Sequence, residues 1–199
     1  MKICAVDKLV NQNFNVIFVN ALQQFWRDTK AFQCIGKPKK QNLLLFLNGC
    51  KITYTDKNNQ TFVAYSGDAV YKPIGSEYKD QLLDFNDSNS HTIGINFLLL
   101  DDLGEAIVLS NDIQIFKNPK NQSLPLLFQK VLHYDVSQSF LKNRILLMEI
   151  FLSLSSSTTA ENTPEYITKA LQYLSEHIDE KTTIAKLSEL SHISEVYFR

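Results

Sequence analysis

GDAVYKPIGSEY, residues 67–78, holds two turn signals separated by a short run of strand-forming residues. Ser66-Gly67-Asp68 makes one turn, Ala69–Lys72 follows as strand, and Pro73-Ile74-Gly75 closes it. Proline cannot donate to a ladder and glycine reaches backbone conformations that other residues avoid, so the segment is a strand leaving one tight turn and entering another. Working outward, Lys51–Thr55 and Thr61–Tyr65 are rich in Thr, Tyr, Val and Ile and flank the polar break Asp56–Gln60, which reads as a hairpin loop. Leu43–Leu47 is an apolar run between Gln41-Asn42 and Asn48-Gly49, the pattern of a strand covered on both faces. Asn13–Val19, Thr92–Leu100 and Asp112–Phe116 supply further strands. Many short strands at regular spacing predict a mainly β fold with helices, built on a small barrel or jelly roll.

After Lys117 the period changes to that of helices. Ser123, with Pro125 in the first turn, opens a helix expected to bury Leu126, Leu127, Val131 and Leu132. A second helix over about 138–154 is apolar on two sides: Leu141, Ile145, Met148 and Leu152 form one stripe, and Phe140, Leu147, Phe151 and Leu154 the other. A helix greasy on two sides must be covered twice, so one stripe is expected on the barrel and the other on a second copy, giving a homodimer.

Ser153–Thr163, SLSSSTTAENT, is small, polar and low in complexity, and reads as a linker. Thr163-Pro164-Glu165 then opens a helix with Ile167, Ala170, Leu171, Leu174 and Ile178 on its buried face. The final stretch, TTIAKLSELSHISEVYFR (182–199), sets Ile184, Leu187 and Leu190 at helical spacing, breaks at Ser191-His192, tucks in Ile193 and restarts at the capping residue Ser194. That is the opening of a helix-turn-helix, and the chain ends barely two turns into its second helix, as expected of the front part of a longer protein.

Composition narrows the function. The chain is 44% hydrophobic and 21% charged with net charge −1, which excludes a disordered or collagen-like protein. From Ala160 onward four basic residues face seven acidic ones, which disfavours DNA binding by this segment alone, because phosphate neutralisation supplies most non-specific affinity. Cys4, Cys34 and Cys50 are odd in number and lack CxxC spacing, consistent with reduced thiols. No signal-peptide core precedes Asp7 and the longest apolar runs are too short to span a bilayer, so a cytoplasmic protein without membrane contact is expected. His91, His133, His177 and His192 fall on separate elements outside ligand spacing, and no Walker loop, GxGxxG or GxSxG occurs. Nothing argues for catalysis.

The spacing glycine, five residues, Pro-x-Gly in 67–78 resembles the second cupin motif. The histidine of metal-binding cupins is replaced by Tyr78, and the paired histidines of the first motif would fall near Asn42 and Leu44, so no metal or other cofactor is expected. Together with I-x-x-A-L-x-Y-L and T-I-x-x-L-S-x-L-x-x-I-S-x-x-Y-F near the C-terminus, the chain resembles the AraC/XylS transcription regulators. Ser188 stands where that family usually has alanine, and the Arg-Leu-Phe that normally follows, the rest of the first helix-turn-helix and the whole second one are absent from these 199 residues.

The resemblance implies a cupin-like effector-binding barrel over 1–120, a helical dimerisation pair over 121–154, a linker over 155–163 and an incomplete helix-turn-helix domain over 164–199. By position it gives Ser194, Val196 and Arg199 to DNA binding, with Ser194 as cap and the other two as base readers of operator DNA. For a small-molecule effector, such as a sugar, aromatic and polar residues on or beside barrel strands are the candidates: Trp26, Arg27, Tyr54, Tyr71 and Tyr78. Dimerisation falls to Leu141, Ile145, Met148 and Leu152. The alternative is a stand-alone cupin enzyme or sugar-binding module with a helical tail.

Overall fold

The computed structural model describes residues 1–83, 85, 89–117, 123–162, 170, 173–174, 177, 182–192 and 194–198. It is mainly β with helices, the class expected from the sequence, and divides into two units, Met1–Ser157 and Thr158–Arg199.

The first unit is built on two sheets. The larger follows the order β1 (Lys2–Ile3), β10 (Ala106–Val108), β9 (His91–Leu100), β4 (Asn42–Asn48), β7 (Ala69–Lys72), β11 (Gln114–Phe116), with β2 (Asn15–Phe25) also paired to β9. The smaller runs β3 (Lys30–Gln33), β8 (Tyr78–Leu83), β5 (Lys51–Asp56), β6 (Thr61–Ala64). All pairings are antiparallel except β1 with β10. Helices α2 (Leu124–Val136) and α3 (Phe140–Asn162) follow, and a single helical turn, α1 (Val6–Leu9), stands near the start.

Strand alternation assigns the side chains of the large sheet to two cores. Leu44, Phe46, Ala69, Tyr71, Ile93, Ile95 and Phe97 pack with Phe128, Val131, Leu147, Ile150 and Phe151 of α2 and α3. On the opposite face Leu45, Leu47 and Val70 meet Ile52, Tyr54, Ala64, Tyr78 and Leu82 of the small sheet, with Trp26. The double covering explains why Leu43–Leu47 is apolar without a break.

One irregularity aims the site. The pairing of β2 with β9 shifts register between Phe18 and Asn20. Before the shift Val16 and Phe18 face the helices; after it Ala21 does, and Leu22, Gln24 and Trp26 turn to the inter-sheet side. The Asp135 carboxylate of α2 accepts from Ala21 N at 2.9 Å just beyond this point, giving a β2 amide a partner away from β9.

Both turns of 67–78 form. Gly67, at φ 93°, donates its N–H to Leu47 O, and Ser76 N–H donates to Pro73 O with Gly75 at φ 82° between them. Sequence reading missed β1, α1, β3, β8 and β10. β1 is only two residues long, all of β3 is exposed, and the charged residues of Tyr78–Leu83 disguise its inward alternation.

The helices differ from expectation in two places. In α2 the buried residues are Leu124, Leu127, Phe128 and Val131, while Leu126 is exposed, because the stripe that meets the core carries 124, 127, 128 and 131 at helical spacing and leaves 126 on the outer side. α3 runs on to Asn162, so the low-complexity stretch carries helical backbone: its Ser, Thr and Ala residues have no Gly or Pro among them to stop the ladder before Pro164.

In the second unit, Ala170 is buried and Leu174 exposed, whereas both were expected inside. Ile167, Leu171 and Ile178 lie outside the described residues. Helix α4 (Ile184–Ser191) is capped by Thr183, whose hydroxyl accepts from Lys186 N, and ends at His192 in the left-handed conformation, φ 55° and ψ 33°. A 3-10 turn, Glu195–Phe198, follows.

Candidate functional site

Between the two sheets lies a cavity of about 230 Å³. Its buried floor is made by Trp26, Leu43, Leu45, Ile52, Lys72, Tyr78, Asp80, Leu82 and Thr92, and its more open rim by Leu22, Gln24, Phe32, Lys39 and Asn96. The volume lies below the ~300 Å³ at which sites for drug-sized ligands begin, so it suits a compact molecule. Gly94 faces it from the middle of β9, where a Cβ would come within 3.1 Å of Leu43 Cδ1 and 3.4 Å of Leu45 Cδ1. Glycine here preserves space.

A buried charge pair forms one end. Lys72 Nζ donates to Asp80 Oδ2 at 3.0 Å, with the side chains only 4% and 8% exposed. The ammonium also lies 4.5 Å from the Tyr54 ring centroid and 4.2 Å from that of Tyr78, so carboxylate and ring faces together replace its water. Burial lowers the Lys72 pKa from its ordinary value, and the Asp80 charge opposes that shift. Burial, above all, raises the hydroxyls of Tyr54 and Tyr78 well above the usual tyrosine range. Among the described residues, neither Asp80 Oδ1 nor the Tyr54 hydroxyl, both buried, has a hydrogen-bond partner. Trp26 Nε1 donates to Thr92 Oγ1 at 3.0 Å, and its ring meets Phe32 edge-on at 5.7 Å.

Of the five residues named from sequence for the effector, Trp26 and Tyr78 line this cavity. Tyr54 lies beside it, beneath Lys72. Tyr71 is on the other face of β7, its hydroxyl donating to Asn42 Oδ1 at 2.7 Å and accepting from Leu109 N at 3.1 Å, so it belongs to the helix-facing core. Arg27 is exposed. Sequence reading missed Lys72, Asp80, Lys39 and Cys34. The signal for the first two was parity: Lys72 shares a face with Val70, and Asp80 shares one with Tyr78.

The positions matching cupin metal ligands hold Asn42, which caps the Pro73 turn by accepting from Ile74 N at 3.0 Å, together with Leu44 and Tyr78. Among the described residues no three His, Cys, Asp or Glu side chains stand together to hold a metal. No described helix is long and apolar enough to cross a membrane.

The predicted dimer stripe is split. Leu141, Ile145 and Leu152 are 69%, 50% and 54% exposed, while Met148 packs partly on the core. Asn143 is fully buried; with its amide turned to suit its neighbours it donates to Val131 O and accepts from Asp135 N, both at 3.1 Å, tying α3 to α2. At the C-terminal end Ser194 is exposed and Val196 is 81% exposed, and Arg199 lies outside the described residues.

Fold and site define a mainly β domain with a small, part-polar cavity between its sheets. The sequence matches no family profile and no curated protein. Among solved structures the chain is similar to the AraC-like transcriptional activator CuxR, at 10% identity over 88% of this chain and 67% of CuxR, with a TM-score of 0.46. It is also similar to wild-type ToxT from Vibrio cholerae strain SCE256 with an unsaturated fatty acid bound, at 13% identity over 92% of this chain and 70% of ToxT, TM-score 0.41. ToxT from Vibrio cholerae O395 gives 10% identity over 93% and 72%, TM-score 0.41.

Proposed function

We propose that the chain is a ligand-responsive transcription regulator of the AraC/XylS type. In this reading its barrel senses a small molecule and its C-terminal helix-turn-helix reads operator DNA. The observation that carries the reading is the break after α4: a Thr183-capped helix stops at a left-handed His192, and the chain restarts with Val196 exposed two residues beyond Ser194. A left-handed stop followed at once by a new turn is what a helix-turn-helix needs locally. The inter-sheet cavity supports an effector site in the same chain. The exposed Leu141, Ile145 and Leu152 support a homodimer through α3, which would present two DNA-binding segments to adjacent half-sites.

As mechanism, a ligand between the sheets changes the dimer helix or the segment after it, and thereby the presentation of the two readers; this is a coupling between two sites and is reciprocal. The protein acts in the cytoplasm, needs no cofactor and is not an enzyme. Operator binding by the full-length protein, measured with and without candidate small molecules, tests the proposal. A protein that never binds DNA upstream of its own gene overturns it, and stoichiometric iron, manganese or zinc in the purified protein favours a cupin enzyme instead.

A further inference from the structure

We propose that the inter-sheet cavity takes an uncharged, largely apolar molecule about the size of one substituted ring and discriminates against ions of either sign. This names the ligand class of the effector site and rests on that reading. The ionic and indole groups of the floor are spent on their neighbours. Lys72 Nζ is matched by Asp80 Oδ2 and lies over the rings of Tyr54 and Tyr78, and Trp26 Nε1 donates to Thr92 Oγ1. The second Asp80 oxygen has almost no accessible surface, so a ligand does not reach it. An anion set against this pair meets Asp80 as well as Lys72, and a cation meets Lys72 as well as Asp80. Either one adds a buried charge with nothing to balance it. What the floor does offer is apolar surface, from Trp26, Leu43, Leu45, Ile52 and Leu82, and Gly94 keeps the space in front of it open. At about 230 Å³ the cavity exceeds the roughly 150 Å³ that holds benzene in a dry apolar site, which leaves room for a ring and a short substituent. Lys39, at the rim, is half-buried, and a head group drawn to it pulls the ring away from the floor for a contact that water weakens.

Trp26 is the only tryptophan in the chain and lines the cavity; Cys34 is a half-buried thiol in the same wall, whereas Cys4 and Cys50 are buried. Two independent signals therefore report occupancy. The full chain is titrated at neutral pH with ethylbenzene, benzyl alcohol, benzylammonium and benzoate, following Trp26 fluorescence and the rate at which iodoacetamide labels Cys34. The first three have nearly the same shape, so benzyl alcohol separates charge from polarity. Both neutral compounds are expected to slow labelling of Cys34 and to bind at least about tenfold more tightly than either ion, a modest share of what burying an unmatched charge costs. Gly94→Val is expected to weaken them at least about tenfold, since its methyl groups take space the ring needs. Should that variant fail to fold, protection of Cys34 in the wild-type protein places the ligand without it. Neutral binding that leaves Cys34 labelling unchanged lies outside the cavity and overturns the proposal. An ion that binds as tightly as benzyl alcohol overturns the charge selection while leaving the cavity as an effector site. No response of Trp26 or Cys34 to any of the four overturns both.

Discussion

Lys72 Nζ and Asp80 Oδ2 stand 3.0 Å apart between the two sheets, both side chains buried. An ion pair so placed gives little net stability, because attraction must first offset the desolvation of both charges. Loss of one member is different, since the other is left buried and unmatched. Asp80→Ala and Lys72→Met should each cost about 3–5 kcal/mol, whereas the Lys72→Met, Asp80→Leu double variant recovers most of it. Urea unfolding of the four proteins closes the cycle. Additive single effects would show that the pair is not coupled.

Gly94 and Leu43 limit the cavity together, a Cβ at residue 94 falling 3.1 Å from Leu43 Cδ1. The nearest atoms are ends of leucine side chains, which yield, so Gly94→Ala should cost no more than about 1 kcal/mol. Gly94→Val adds two methyl groups and should cost about 1–3 kcal/mol through overpacking. Occupying the cavity should also slow acrylamide quenching of Trp26, which lines it. Thermal melts and quenching measured on the same samples separate the two effects; unchanged quenching in Gly94→Val would place the new side chain outside the cavity.

Alkaline pH should weaken the first unit in part through Cys50. Burial pushes this thiol from 9.0 up to about 11, with a backbone hydrogen bond at Asn48 acting in the opposite direction. Between those values the unfolded chain has released the proton and the folded chain keeps it, so stability falls as pH rises. The contribution is intact below pH 9.0 and is lost as pH passes through about 11, amounting to about 2–3 kcal/mol. Tyr54, Tyr71 and Tyr78, all raised by burial, act with the same sign at still higher pH, and Lys72, lowered by burial, acts with the opposite one. Comparing Cys50→Ala with wild type in urea from pH 8 to about 11 isolates the thiol. The variant should show a shallower decline, and parallel curves would refute the assignment.

The parts of this fold that sequence disclosed are those where one residue type has one physical use. Pro73 and Gly75 can hardly serve anything but a turn, and the unbroken apolar run Leu43–Leu47 has to be covered twice. What stayed hidden depended on partners distant in sequence. Asp80 looks like a surface residue until β8 is paired with β5 and Lys72 arrives from β7. Asn143 looks polar and exposed until α2 presents Val131 O and Asp135 N to it. Trp26 could be named as a ligand contact from its chemistry, but its direction follows from the register shift near Phe18, which no local pattern announces. Tyr71 and Tyr78 have the same chemistry and lie in different cores, because Tyr71 points from β7 of the large sheet toward the helices while Tyr78 points inward from β8 of the small sheet.

The two apolar stripes of α3 predict opposite consequences for the same kind of substitution. Phe151 is fully buried and meets Phe97 edge-on at 5.5 Å and Phe14 at 6.3 Å, so Phe151→Ala should cost about 3–5 kcal/mol with no preference for one oligomeric state. Leu141, Ile145 and Leu152 are exposed in one copy, and charging them removes little from its core. If they form the dimer seam, Ile145→Glu should leave the melting temperature of the monomer nearly unchanged, because surface substitutions fall within about 0.5 kcal/mol, while weakening self-association at least about tenfold through a buried unpaired charge. Sedimentation equilibrium over a concentration series reads the second effect and thermal melting of the dilute protein the first. A wild-type chain that stays monomeric at high concentration, or an Ile145→Glu variant that associates as well as wild type, removes α3 from the interface.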